Sequence, residues 1–325
     1  EGARKEGRLS LVWGENSAGG SKAAERWRQG LNQTYGLNIE VTFTPGPSMP
    51  EMGVKLAQEY QANRPATSDV MLGAQPQFAA LLEAGVLQAV DWPSWAANVR
   101  DPKLLGAPDG TSVHFATLIN GITYHTGKIG TAPKSLADLL DGSYQGRLAS
   151  TPYAAGFTDL ASPELWGEQR TVDYVTRLSQ QIGGLMRCGE TERITSGEFD
   201  LLAIDCGNYE AAKAQAQGAP IGHVVPADAA TLGYWYLGVP KNAQHPNAAK
   251  LFVNYALGRE AQQILYQTSF ADLHLLPGSH LGAEVDAVRG QGVAFHETDI
   301  AFVMRQDPAA SARVLQKLQA ILQRK

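Results

Sequence analysis

The side chains able to do chemistry are scattered through this chain. Seven histidines, His114, His125, His223, His245, His274, His280 and His296, stand without metal-ligand spacing, and the two cysteines, Cys188 and Cys206, form neither a CxxC nor a Cys/His pattern. No GxSxG elbow, P-loop, GxGxxG turn after a strand or HExxH helix is present. Glu190 and Glu192 are close acids in one polar stretch, and such acids are ordinarily solvated. The set suits recognition rather than covalent catalysis, so the expectation is a protein that is not an enzyme, needs no cofactor and holds no metal.

Residues suited to recognition gather just after apolar runs. Glu15, Asn16 and Ser17 lead into Gly19, Gly20 and Ser21; Gly46 and Pro47 lead into Ser48; Gly73 and Ala74 lead into Gln75. Further along come Thr151–Thr158, with Tyr153, Gly156 and Phe157, then Arg187–Thr191 with Glu190, then Asp205–Tyr209 with Asn208. Helix starts rich in Ser and Gly offer unpaired backbone N–H groups, which favour an anionic head group. Arg187 can hold such a group by two parallel bonds. Glu15, Glu190 and Asp205 suit an amine instead, so the sign of the ligand's charge stays open. Tyr153, Tyr209 and one face of Tyr234–Trp235–Tyr236 offer aromatic walls, Trp235 pointing opposite to its two neighbours on a strand. Ordinary caps and turns explain any one of these residues equally well.

The elements that must position them alternate. Leu9–Trp13, Ile39–Thr44 and Val70–Leu72 read as strands, and Ser21–Tyr35, Ser48–Gln61 and Gln77–Glu83 as helices. Ser48 with Glu51, and Ser135 with Asp138, have capping-box spacing ahead of apolar runs. A second set follows Leu118: strands at Arg147–Ser150, Gly183–Met186 and Leu201–Ile204, and helices at Thr171–Gln181, Thr191–Ser196 and Tyr209–Gln217. Such alternation predicts parallel βαβ units in two similar α/β lobes with a cleft between them, the candidate loops lying at the carboxyl ends of the strands.

Composition agrees. With 325 residues, 44% hydrophobic, the chain can bury two medium cores. A formal net charge of −5 gives no electrostatic reason to expect nucleic acid as a partner. No apolar run approaches the roughly 20 residues of a membrane-spanning helix. The opening EGARKEGRL is no basic, apolar leader, so the expectation is either an intracellular chain or one written in mature form.

YWYLGVPKNAQHPNAAKLFVNYALGREAQQILYQTS, Tyr234–Ser269, resembles the signature region of family 1 extracellular solute-binding proteins of ABC transporters, especially the ferric-ion-binding branch. EGARKEGRLSLVW resembles the family's mature opening. Pro133–Gly156 resembles the start of its second lobe, and Ile194–Pro226 the segment that supplies cleft ligands. The resemblance implies a type II periplasmic-binding-protein fold: two lobes, each a mostly parallel sheet flanked by helices, with a hinge and an interlobe cleft. Lobe one would be 1–115 with 230–278, and lobe two 116–229 with 279–325, a helix at Ala309–Leu322 docking on lobe two. It implies a periplasmic, monomeric protein that delivers a small solute to ABC permease subunits, and the cleft residues named above make an anionic or zwitterionic organic solute the expectation. A ferric-ion transport protein and a ligand-sensing receptor partner are the alternatives. Gly207 and Asn208 stand where the ferric branch has adjacent tyrosines, which speaks against iron. Cys188 and Cys206 lie just past two strands that read as neighbours in lobe two, close enough for a disulfide in an oxidising compartment.

Overall fold

The structure, a computed structural model, describes residues 1–323. Its elements run in chain order: α1 (Gly2–Glu6), β1 (Arg8–Trp13), α2 (Gly20–Tyr35), β2 (Glu40–Pro45), α3 (Met49–Gln61), β3 (Met71–Ala74) and α4 (Gln75–Glu83). Then come β4 (Val113–Ile119), β5 (Ile122–His125), β6 (Leu148–Ser150), α5 (Phe157–Leu160), α6 (Glu168–Ser179), β7 (Ile182–Leu185), α7 (Glu192–Thr195), β8 (Leu201–Leu202), α8 (Tyr209–Ala216) and β9 (Ile221–Val224). The chain ends with β10 (Thr231–Gly238), α9 (Pro246–Ala256), α10 (Arg259–Ser269), α11 (His280–Gly290), β11 (His296–Glu297), α12 (Ile300–Arg305) and α13 (Pro308–Leu322).

These elements form two compact units. Of the described residues, the first contains 1–117, 233–286 and 299–303, and the second 118–232, 287–298 and 304–323. The chain leaves the first unit after Asp286 rather than near Pro277, and residues 299–303 return to it. The late departure has a physical cause. Asp272, buried in the first unit, accepts the backbone N–H groups of His280 at 2.6 Å and Leu281 at 2.9 Å and so anchors the start of α11 there.

In the first unit β1 and β2 pair in parallel from Arg8↔Glu40 to Trp13↔Pro45, and Leu11 bridges in parallel to Val70 just before β3. Antiparallel β10 joins β3 with Trp235 opposite Ala74. Aromatic side chains fill the core. Trp27 meets Trp13, Phe115 and Phe252 at centroid distances of 6.4, 6.0 and 5.8 Å, and its indole N–H donates to the Ala261 carbonyl at 3.0 Å.

The second unit is built on a five-stranded sheet in the order β7-β6-β8-β5-β9. β7, β6 and β8 are parallel, and β5 runs antiparallel to β8 and β9. Alternation assigns Leu148 and Leu201 to a core with α5, α6 and α13, and Ala149 and Leu202 to a core with α7 and α8 on the other face. Val314, Leu318 and Leu322 seat α13 in the first of these cores. One expectation needs correcting. The Ser135/Asp138 box does form, with Asp138 accepting from the Lys134 and Ser135 amides, but only a single 3₁₀ turn at Ala137–Leu140 follows, because Asp141 caps a second turn that begins at Gly142.

Candidate functional site

At the carboxyl edge of β1, β2 and β3 the first unit presents three helix starts, and in each the protein supplies its own acceptor. Glu15 accepts from the Ser21 N–H at 3.2 Å and the Ser21 hydroxyl at 2.5 Å. Glu51 accepts from both the Ser48 N–H and hydroxyl, at 2.9 and 2.7 Å, and these bonds hold its carboxyl below the usual range. Gln77 accepts from the Ala74 N–H at 3.0 Å. Glu15 thus caps α2 through one carboxylate oxygen. Asn16 and Ser48 are exposed, Ser17 and Gln75 half-buried. Trp235 is buried, only 5% exposed, while Tyr234 and Tyr236 are wholly buried against His114 at 4.4 and 5.0 Å. The expected aromatic wall at Trp235 is therefore core, because β10 is covered on both faces.

In the second unit the loops leaving β6, β7 and β8 carry Tyr153, Arg187 and Tyr209. Arg187 is exposed, and among the described residues its guanidinium has no ion-pair partner. Glu190 does not pair with that side chain; its carboxylate accepts the Arg187 backbone N–H at 2.8 Å and an Arg193 guanidinium N–H at 3.4 Å. Gly156 starts α5 with φ 72°, and Thr191 stands half-buried before α7. Tyr209 is half-buried, and burial pushes its phenol well above the ordinary range. Tyr153 is 39% exposed. Its hydroxyl accepts from the Cys188 N–H at 2.7 Å and donates to the Cys188 sulfur at 2.6 Å. Cys188 is disulfide-bonded to Cys206, with Cα atoms 5.8 Å apart.

Three expected ligand residues in this unit face inward. Phe157 is fully buried in the core beneath the Tyr153 loop. Asp205, 4% exposed, accepts from the Gly121 and Gly207 amides at 3.0 and 3.1 Å and the Thr123 hydroxyl at 2.8 Å, with His223 at 3.2 Å. Asn208 is buried, its backbone N–H donating to the Ile119 carbonyl at 2.9 Å and its side-chain oxygen accepting from the Ile119 N–H at 3.4 Å. Asp205 and Asn208 organise the loop that presents Tyr209; their own polar groups are taken.

Two residues passed over in the sequence stand near this loop set. Glu210 lies in the first turn of α8, 3.6 Å from where a side chain on Gly189 would begin, and burial raises its carboxyl. Ser150, the last residue of β6, is buried, and its hydroxyl has no partner among the described residues. Neither spacing nor composition marks them; only the register β6↔β7 and the pairing of the two cysteines bring them into view. Among the described residues no group of three or more His, Cys, Asp or Glu is placed to hold a metal ion, and no helix is long and apolar enough to cross a membrane. A groove of about 770 Å³ in the second unit lies elsewhere, between Leu140, Trp166, Arg170, Tyr174 and Arg177.

Residues 29–285 match the family described as bacterial extracellular solute-binding protein. The chain belongs to that family. An uncharacterised protein of Haemophilus influenzae is 27% identical over 164 residues, 48% of this chain, so the match spans about half (47%) of that relative's length. Among solved structures, the substrate-binding protein of an ABC transporter from Agrobacterium tumefaciens superposes with a TM-score of 0.77 at 16% identity, covering 97% of this chain and 94% of that one. Iron-bound HitA from Pseudomonas aeruginosa gives 0.70 at 18%, covering 97% and 99%. AfuA from Actinobacillus pleuropneumoniae, with fructose 6-phosphate bound, gives 0.65 at 22%, covering 82% and 84%. At these identities the likeness is one of fold: this solute-binding protein has the α/β fold of two-lobed periplasmic binding proteins.

Proposed function

We propose that the chain is the periplasmic component of an ABC importer, a monomer that binds a small anionic or zwitterionic organic solute through loops at the carboxyl ends of its strands and hands it unchanged to a membrane permease. The observation that carries the sign of charge is the contrast between Arg187 and three candidate acids. Glu15, Glu190 and Asp205, which argued for an amine, are each occupied by the protein's own donors, while Arg187 stands exposed with no ion pair among the described residues. A guanidinium in the loop that follows a strand can grip a carboxylate or phosphate by two bonds. The site needs no cofactor, since its work is exchange of the ligand's water shell for fixed donors.

AfuA binds fructose 6-phosphate, a ligand of the proposed class, on the same fold. HitA binds iron on that fold too, but Gly207 and Asn208 offer no phenolate here, and Asn208 is bonded into its own unit. Calorimetry against inorganic phosphate, fructose 6-phosphate, glutamate and, as a cation, spermidine tests the reading. An anion should bind, and Arg187→Ala should weaken it about 30-fold, equivalent to about 2 kcal/mol for a charge-assisted pair withdrawn from water. Binding of spermidine alone, or anion affinity unchanged in both Arg187→Ala and Tyr209→Ala, would overturn it.

A further inference from the structure

The disulfide of the second unit sits among the residues of the proposed site rather than in the core. We propose that the Cys188–Cys206 bond and the Tyr153 phenol together fix the second unit's share of the ligand surface, so that the redox state of the bond tunes affinity; this rests on the solute-binding reading above. The bridge closes a separation of 18 residues and joins the loop after β7 to the loop after β8. Cys188 directly follows Arg187, and Cys206 stands three residues before Tyr209. The Tyr153 hydroxyl, from the loop after β6, bonds the Cys188 N–H and sulfur, with the Cys206 sulfur 4.0 Å away. Three loops from three neighbouring parallel strands therefore meet at one hydroxyl and one pair of sulfurs.

The surroundings give these groups a positioning role. Among the described residues, neither of the two core clusters that pack on the sheet includes Tyr153, Cys188 or Cys206, so these three stand outside the apolar packing of the unit. Each cysteine is followed by a glycine with positive φ, Gly189 at 85° and Gly207 at 132°; Gly207 is also tied to Asp205 at 3.1 Å, so the backbone freed by loss of the bridge is chiefly that of Cys188–Gly189. Both cysteines are half-exposed, within reach of a small dithiol. Such a reductant would pass two hydrogens to the cysteine sulfurs and close into its own disulfide, which balances the exchange. Affinity gained through preorganisation would be lost without unfolding the unit.

The test combines amide hydrogen exchange on the full chain with calorimetry against fructose 6-phosphate and inorganic phosphate. The samples are the oxidised protein, the dithiol-reduced protein, the Cys188→Ala/Cys206→Ala variant and Tyr153→Phe. Exchange at Cys188 and across 205–209 should accelerate about tenfold or more in the last three while β6 and β8 amides stay protected. Affinity for the anion that binds should fall about tenfold in each. Tyr153→Phe, which leaves the bridge intact, should do so with an unchanged melting temperature, a split that a purely structural role would not produce. Unchanged loop exchange, or loss of protection throughout the second unit, would overturn the proposal. If the oxidised protein binds neither probe, the anion reading fails on its own, and the exchange measurement decides the positioning role.

Discussion

Two aspartates of the second unit show how much a few ångströms of placement decide. Asp205 is buried with donors on every side, and its charge is spent on holding Gly121, Thr123 and Gly207 together. Asp159, in the single turn of α5, is half-buried, and burial pushes its carboxyl from the ordinary 3.8 up to about 6. An acid whose folded value lies above its unfolded one costs nothing while both states hold the proton. As pH rises from about 4 through 6 the unfolded chain gives up its proton first, so this group's contribution to stability declines and stays low at neutral pH. Asp159→Asn should therefore stabilise the protein by about 1–2 kcal/mol at pH 7, allowing for partial solvent screening, and leave it unchanged near pH 4. Denaturant titration at the two pH values checks this. The sequence contained both aspartates but no sign of which would be satisfied. The same holds for the site: Arg187, Tyr153 and Tyr209 were readable as residues just past strand ends, while Phe157 and Asn208 follow the same strands and are buried, and Trp235 is buried within β10, because facing is set by packing across the sheet.

At the scale of elements, legibility followed local signals. The alternation of the first 83 residues was plain, since Gly36, Gly85 and the Ser48 cap mark its boundaries. The last helix came from the family resemblance instead, and in the structure Asp307 caps it through the Ala309 amide at 2.9 Å. β4 and β10, buried along their whole length, lack the polar alternation that would identify them, which is why the tyrosines of β10 looked like a wall. β8 is only two residues long where four were expected, since beyond Leu202 the chain turns toward Asp205. α13 owes its place to one apolar face, with Leu318 fully buried in the core shared with α5 and α6. Leu318→Ala should cost about 3 kcal/mol. The loss should fall on the second unit, lowering its melting transition while hydrogen exchange in β1 and β2 of the first unit stays as it was.

For the whole molecule, a solute that binds only the folded protein adds stability by mass action. At a hundredfold excess over its dissociation constant that amounts to about 2.7 kcal/mol, so a true ligand should raise the melting temperature in step with the logarithm of its concentration, and a non-ligand should not. The threading of the chain has a consequence for its birth on the ribosome. The first unit draws its core from both ends of a long excursion: Trp27 packs on Phe252 and bonds to Ala261, and β3 takes Trp235–Gly238 as its partner. While translation passes through residues 118–232 the nascent chain already holds Trp13, Trp27 and Phe115 with no Phe252 or Ala261 to cover them. The half that is made first must therefore wait, sticky and open to chaperones, until α10 emerges to close it.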